Sequence, residues 1–171
     1  LELYKKMYKS SSFDLTEQFR INAGPSVINW INDFVDCQID DFPKTFEQGK
    51  HYDFRIFNDG NEMFKEIKKK NSEYKLSRVV STFDYEYHIP KKDKIGENSA
   101  TYKVQAGALE LPWNTTNDND SWAERDDTIN EAGSIYTIQG ADLNYVGVIL
   151  GPSVSYDEEA DKVKILTDKY K

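Results

Sequence analysis

The chain of 171 residues is 38% hydrophobic and 13% aromatic, which predicts one domain with a substantial core and excludes disorder of the whole chain. Its net charge of −8 gives no overall basic footprint for nucleic acid, and one cysteine with two histidines excludes an intrachain disulfide and argues against structural zinc. No apolar run could span a bilayer and the first residues form no secretory signal, so we expect a cytoplasmic protein.

The first half of the chain predicts two helices and two strands after a polar lead-in at residues 1–12. Pro25 suits the first turn of a helix whose apolar residues recur at helical spacing until about residue 37. The alternating stretch Asp53–Asn58 predicts a strand. A helix follows from Asp59, with Met63, Phe64 and Ile67 inward and a lysine cluster at 65–70 outward. Leu76–Thr82 predicts the next strand, so residues 53–82 predict a βαβ unit with parallel strands.

The second half is less regular until residue 133. Residues 100–111 predict one or two short strands, Pro112–Trp122 a functional or mobile loop, and Asp126–Ala132 a short helical turn. Two strands are then predicted, at Ser134–Ile138 and Tyr145–Leu150, and the second is expected to be covered on both faces. All three tryptophans, Trp30, Trp113 and Trp122, are expected to pack in the core or a loop rather than stack on bases.

The loop between the last two predicted strands is the candidate site. It carries a hydroxyl, an amide, bare backbone and a carboxylate within six residues, namely Thr137, Gln139, Gly140 and Asp142. Open α/β sheets bind ligands in loops at the carboxyl ends of their strands. An ordinary strand-turn-strand core is the alternative interpretation.

The chain lacks the parts that hold a nucleotide. A phosphate-binding loop needs Gly-x-x-x-x-Gly-Lys-Ser/Thr, but the one Gly-Lys pair, Gly49-Lys50, is followed by His51. No apolar strand runs into Asp-Glu to bind magnesium either. The sequence therefore argues against an independent NTPase.

Several stretches resemble, in order, one helicase family. Residues 137–146, Thr-Ile-Gln-Gly-Ala-Asp-Leu-Asn-Tyr-Val, resemble motif V of superfamily 1 helicases with one residue fewer between Thr and Gln. Leu15-Thr-Glu-Gln-Phe-Arg20 before a Trp-containing helix resembles motif IV, and residues 52–57, 77–84 and 111–114 resemble its intervening segments. Together they resemble the Schlafen-type DNA/RNA helicase family of bacterial ATP/GTP-binding proteins.

The resemblance implies a fold and a domain organisation. Residues 13–171 would form a C-terminal RecA-like α/β domain, with a mostly parallel sheet flanked by helices and no phosphate-binding loop. The chain would be an excised piece that ends before motif VI, since Leu166-Thr167 is followed by Asp168 where that motif has arginine.

The resemblance also implies residue roles. Arg20 would be an arginine finger on the γ-phosphate, and Gln18 would orient its loop. Thr137 and Gln139 would contact a nucleic-acid phosphate or couple the nucleotide to it, and Gly140 would allow close backbone approach to the nucleotide. Asp142 stands where the family more often has Glu near the ribose or triphosphate, and it is one methylene shorter. A surface salt bridge is the alternative for Arg20.

The resemblance implies that this chain is one of the two RecA-like domains of an ATP-driven motor protein. ATP and Mg²⁺ would bind only in the full-length parent, between this domain and an absent N-terminal RecA-like domain that carries the phosphate loop, with DNA or RNA as the other partner and no membrane. The chain alone would be catalytically silent. A non-catalytic α/β interaction module and a stand-alone single-strand binder remain the alternatives.

Overall fold

A computed structural model describes residues 21, 23–44, 52–87, 102–115 and 121–170. The lead-in at 1–12, the motif IV stretch with Gln18 and Arg20, and the Gly49-Lys50 pair lie outside these residues. The helices are α1 (Pro25–Val35), α2 (Gly60–Tyr74) and α3 (Ile135–Ile138), and two 3-10 helices span Trp122–Glu124 and Asp127–Asn130. The strands are β1 (Ser77–Ser81), β2 (Lys103–Ala106), β3 (Leu109–Pro112), β4 (Ala132–Gly133), β5 (Tyr145–Ile149), β6 (Val154–Asp157) and β7 (Lys162–Ile165).

A parallel sheet in the order β4-β1-β5 forms the centre of the described part. Both neighbours pair with β1 in parallel, so Val80 of β1 lies between Gly133 of β4 and Val148 of β5. This arrangement confirms an α/β fold with a parallel sheet. It also confirms the strands predicted at Leu76–Thr82 and Tyr145–Leu150, which the structure bounds at 77–81 and 145–149.

The strand predicted at Asp53–Asn58 is wrong, and with it the predicted βαβ unit. This segment is extended but belongs to no strand of the described sheets. Arg55 hydrogen-bonds Asp53 and Glu66, and Phe54 packs edge-on against the ring of Trp30 at 4.9 Å. The apolar residues of this segment do not share one covered face: Phe54 packs against Trp30 and Phe57 against the core, whereas Ile56 between them is 83% exposed.

Helix α2 covers one face of the sheet. The Asp59 carboxylate accepts hydrogen bonds from the N–H groups of the first turn, which explains where the helix begins. Met63 and Ile67 are buried against β1 and β5, as their spacing predicts. At Gly147 of β5 an added Cβ would come within 2.9 Å of Ile67 Cγ1, so the helix packs directly on bare backbone.

The expectation that β5 is covered on both faces is wrong for the described residues. Gly147 and Ile149 are buried beneath α2, but Val146 and Val148 point to the opposite face and are 42% and 56% exposed. The second 3-10 helix packs against β1, where Thr128 accepts a hydrogen bond from Arg78. In this chain, a continuous apolar run therefore does not indicate that both faces of the strand are covered.

The remaining described elements surround this layer. The β2–β3 hairpin confirms the strands predicted within 100–111 and contributes Val104, Leu109 and Leu111 to the core. The second 3-10 helix confirms the turn predicted at 126–132. The β6–β7 hairpin, which was not predicted, is attached to the end of α1 by a hydrogen bond from Val163 N to Cys37 O.

The tryptophans pack as expected. Trp113 is fully buried in the core, and Trp122 is 6% exposed. Trp30 stacks on Phe34 of α1, and its Nε1 donates to the Asp40 carbonyl at 2.8 Å. Within the described ranges, no helix is both long and apolar enough to cross a membrane.

Candidate functional site

The carboxyl ends of the three parallel strands carry buried polar side chains. Because parallel strands run the same way, these ends meet at one edge of the sheet, where open α/β sheets bind ligands. The buried polar residues at this edge are Asp84, Asn114, Thr115, Ser134 and Ser153. The candidate site is therefore built from the chain segments that leave β1, β4 and β5, together with the segment after β3 that carries Asn114 and Thr115.

The segment that leaves β4 is a single helical turn, so the strand predicted at Ser134–Ile138 is wrong. The Ser134 side chain accepts from Tyr136 N, and Ser134 N donates to Thr137 Oγ1 at 2.8 Å, which forms a reciprocal cap. A run of apolar residues this short does not distinguish a strand from a helix, and the cap decides in favour of α3.

The cap fixes the Thr137 hydroxyl at the carboxyl end of β4. Besides accepting from Ser134 N, this hydroxyl lies 3.0 Å from Ser134 O and 3.4 Å from Asn114 Oδ1, and it has one proton for these acceptors. Asn114 is itself held here because its N–H donates to Ala132 O at 3.0 Å. A Cβ on Gly133 would lie 2.7 Å from Thr137 Oγ1, so only glycine fits beneath the hydroxyl.

The other predicted loop residues follow α3 on the surface. Gln139, Gly140 and Asp142 are exposed, and Gly140 has a φ of +89°, the left-handed conformation that glycine adopts without strain. No atom would lie within 4 Å of a Cβ at Gly140, so its backbone is open to a ligand.

The loop then crosses the sheet to its opposite edge. Asn144 N donates to Leu76 O at 2.8 Å, immediately before β1 begins, which places Asn144 at the amino ends of the strands. Asp142 precedes it by two residues. The predicted loop does not lie wholly at the carboxyl ends: Thr137 lies there, whereas Asp142 lies close to the amino ends.

A buried carboxylate organises the ends of β1 and β5. Asp84 Oδ2 accepts from Thr82 Oγ1 at 2.9 Å, from Ser153 Oγ at 2.7 Å and from Ser153 N at 3.1 Å. Gly151 N in turn donates to Thr82 Oγ1 at 2.7 Å. These bonds hold the turn after β5 against the end of β1, which fixes the edge of the candidate site.

Behind this edge a buried arginine holds the 3-10 helices to β1. Arg78 is 2% exposed, and its guanidinium donates to Thr128 Oγ1 at 2.9 Å and to Arg125 O at 2.7 Å. Burial lowers the pKa of Arg78, and the charges of Asp126 and Asp127 partly oppose that effect. The Arg78 side chain therefore stabilises the packing of the 3-10 helices on β1 and is not presented at the surface.

A second buried carboxylate fixes the segment before β4. Glu131 Oε2 accepts from Trp122 Nε1 at 3.0 Å and from the Thr115 hydroxyl, and Oε1 lies 3.9 Å from Arg125 Nη2. The loop predicted at 112–122 as functional or mobile is thus anchored at both of its described ends.

Asn114 and Ser134 were not among the predicted site residues. Ser134 is a preferred N-cap residue and so a readable signal, although position 137 holds Thr where the usual capping box has Glu or Gln. Asn114 carries no such signal, because its contact with Thr137 joins residues 23 positions apart. Among the described residues no group of three or more His, Cys, Asp or Glu side chains could hold a metal ion.

Comparison with known proteins identifies the family. The family model of the Schlafen group 3 DNA/RNA helicase domain matches residues 2–171. The yeast protein named "Uncharacterized protein YPL245W" (Saccharomyces cerevisiae) is 37% identical over 170 residues, which cover 92% of this chain and 36% of the relative. No solved structure matches the chain. Because the family model spans nearly the whole sequence, this chain belongs to the Schlafen group 3 DNA/RNA helicase domain family.

Proposed function

We propose that this chain is the second RecA-like half of a superfamily 1-type helicase or translocase, which completes an ATP site and grips nucleic acid but cannot hold the nucleotide alone. One observation carries the proposal: a helicase-domain family matches residues 2–171, and yet the sequence contains no phosphate-binding loop. The chain spans 36% of its yeast relative, which leaves room in such a protein for the missing half.

ATP and Mg²⁺ would be held mainly by an N-terminal RecA-like domain. Arg20 would reach across to stabilise charge on the transferring phosphoryl group, and Gln18 would orient the loop that carries it. Gly140 would allow the backbone to approach the nucleotide. Asp142 would contact ribose or triphosphate only if the nucleotide extends toward the amino ends of β1 and β5, near Asn144.

The nucleic-acid grip would use neutral donors. No lysine or arginine occurs from residue 126 to residue 161, so the motif V segment offers a phosphate the Thr137 hydroxyl and the Gln139 amide rather than a cation. The single turn α3 fixes the Thr137 hydroxyl beside Asn114 at the carboxyl end of β4. Contacts of this kind position a strand without reading its sequence.

Substitution of Arg20, the arginine of the motif IV stretch, in a full-length parent tests the proposal. Arg20→Ala should lower kcat for ATP hydrolysis by about 10³- to 10⁵-fold, the usual contribution of an arginine finger. Arg20→Lys should recover little, because lysine lacks the planar fork that spans two phosphate oxygens. Arg55→Ala is the matched control, since that exposed guanidinium bonds only Asp53 and Glu66 among the described residues.

The alternatives make different predictions in the same assays. Unchanged ATP turnover in Arg20→Ala would support a non-catalytic interaction module. Ordinary enzymatic turnover by the isolated chain would contradict the division of labour between two domains. Tight, strongly salt-dependent binding of oligonucleotides by the chain alone would favour a stand-alone single-strand binder.

A further inference from the structure

Tyr136 is an exposed aromatic ring beside the proposed phosphate contact. It directly precedes Thr137 in α3 and is 68% exposed, and its neighbour Ile135 is 64% exposed. The hydroxyl of Tyr136 makes no hydrogen bond to any other described residue. With 68% of the residue open to solvent, the ring offers exposed aromatic surface to a planar partner.

The ring contacts the aromatic side chains of the core on one side. It meets Phe83 edge-to-face at a centroid distance of 5.4 Å and an interplanar angle of 86°. Phe83 lies 4.9 Å from the ring of Trp113, which is fully buried. The backbone is fixed as well, because Tyr136 N donates to the Ser134 hydroxyl at 3.3 Å. A ring that is held in place loses little conformational entropy when a ligand stacks on it.

The charge around the ring decides which kind of contact can supply affinity. The chain has a net charge of −8 and no lysine or arginine between residues 126 and 161. A polyanion bound by this segment therefore meets no cation from it to drive counterion release, which is the usual source of affinity for nucleic acid. Base–aromatic stacking contributes about 1–3 kcal/mol per base and needs no cation.

We propose that Tyr136 is a stacking platform for a nucleobase of single-stranded DNA or RNA. The inference rests on the proposed function, because it deepens the grip assigned to Thr137 and Gln139. The base stacks on the open face of the ring, while the adjacent phosphate accepts from the Thr137 hydroxyl. Stacking reads no base edge, so the platform tolerates any base sequence.

Binding of a fluorescein-labelled oligo(dT) or oligo(U) to the chain, followed by anisotropy at several salt concentrations, tests the platform. Tyr136→Ala should weaken binding by about 5- to 150-fold. Tyr136→Leu should weaken it nearly as much, because it keeps apolar surface but loses the π face, whereas Tyr136→Phe and Tyr136→Trp should bind like the unaltered chain. The salt dependence should not change in any of these variants. Tyr170→Ala, at a residue 58% exposed, is the matched control and should have no effect.

A second measurement excludes a purely structural role. An oligonucleotide with 5-iodouracil should cross-link to Tyr136 on irradiation, and excess ATP should not displace it. Cross-linking at another residue, or equal affinities of Tyr136→Ala and Tyr170→Ala, would overturn the platform while leaving the grip of Thr137 intact. A cross-link formed only by a photoreactive ATP analogue would assign the ring to the nucleotide and would also overturn the inference. If the unaltered chain binds no oligonucleotide at all, the proposed grip fails and the platform fails with it.

Discussion

The Thr137 hydroxyl is assigned two roles, and a comparison of Thr137→Ala with Ser134→Ala separates them. In the structure it accepts from Ser134 N at 2.8 Å and so closes the cap of α3. In the proposed function its single proton turns from Ser134 O or Asn114 Oδ1 to a phosphate oxygen. Thr137→Ala removes both interactions, whereas Thr137→Ser keeps the hydroxyl and loses only a methyl group.

The two losses have different sizes. Loss of a capping side chain costs about 0.5–2 kcal/mol of stability, which corresponds to a fall in Tm of roughly 2–6 °C for a chain of this size. A hydrogen bond to a charged group is worth about 1.5–3 kcal/mol, so the affinity for an oligonucleotide should fall by about 10- to 150-fold. Ser134→Ala isolates the first effect, because it weakens the cap but leaves the Thr137 hydroxyl in place.

Thermal unfolding and anisotropy titrations of the three variants give both numbers. We expect Thr137→Ala to lose stability and affinity, Ser134→Ala to lose stability alone, and Thr137→Ser to resemble the unaltered chain. If Thr137→Ala binds no more weakly than Ser134→Ala, the hydroxyl only caps the helix and the phosphate contact is refuted. If Thr137→Ala and Thr137→Ser have the same Tm, the reasoning about the cap is refuted.

Three further predictions concern the scaffold of the site. Gly147→Ala should lower the free energy of unfolding by about 1–3 kcal/mol in denaturant titrations, because the new Cβ would lie 2.9 Å from Ile67 Cγ1, and strict additivity with Ile67→Ala would contradict this contact. Arg78→Met should cost about 2 kcal/mol or more through lost hydrogen bonds, and a Tm within a degree of the unaltered chain would contradict the buried network. The Arg55 guanidinium lowers the pKa of Asp53, so this carboxylate stabilises the fold above its unfolded pKa of about 3.9 and stops doing so as pH falls through the lower folded pKa. Asp53→Asn should therefore flatten the loss of stability below about pH 4, and an unchanged acid limb would contradict the ion pair.

Elements with local signals were predictable from the sequence. Pro25 at the start of α1 and Asp59 before α2 act within one turn of their own positions, so the sequence around them determines where each helix begins. The strands β1 and β5 were predictable for a similar reason, since both contain paired or alternating valines, and β5 is followed by Gly151-Pro152. Partner choice was less predictable: the order β4-β1-β5 depends on contacts that the local sequence does not encode.

The two wrong strands share a physical cause. At Asp53–Asn58 the apolar residues are covered individually and not as one face, since Phe54 packs against Trp30 while Ile56 is 83% exposed, and the segment joins none of the described sheets. At Ser134–Ile138 the apolar residues suited either structure, and the Ser134–Thr137 cap selected the helix. In both segments the hydrogen-bond partners, and not the hydrophobic pattern, decide the backbone conformation.

The geometry of the predicted loop constrains the mechanism. Thr137 lies at the carboxyl end of β4, whereas Asn144 is bound at the amino end of β1, so the intervening segment spans the sheet from edge to edge. Its two ends cannot both meet a ligand confined to one edge. If Thr137 holds a phosphate of nucleic acid, Asp142 must act on something at the opposite side, or on nothing. A loss of nucleotide affinity in Asp142→Ala of the parent, with oligonucleotide affinity unchanged, would show that this segment links two ligands rather than gripping one.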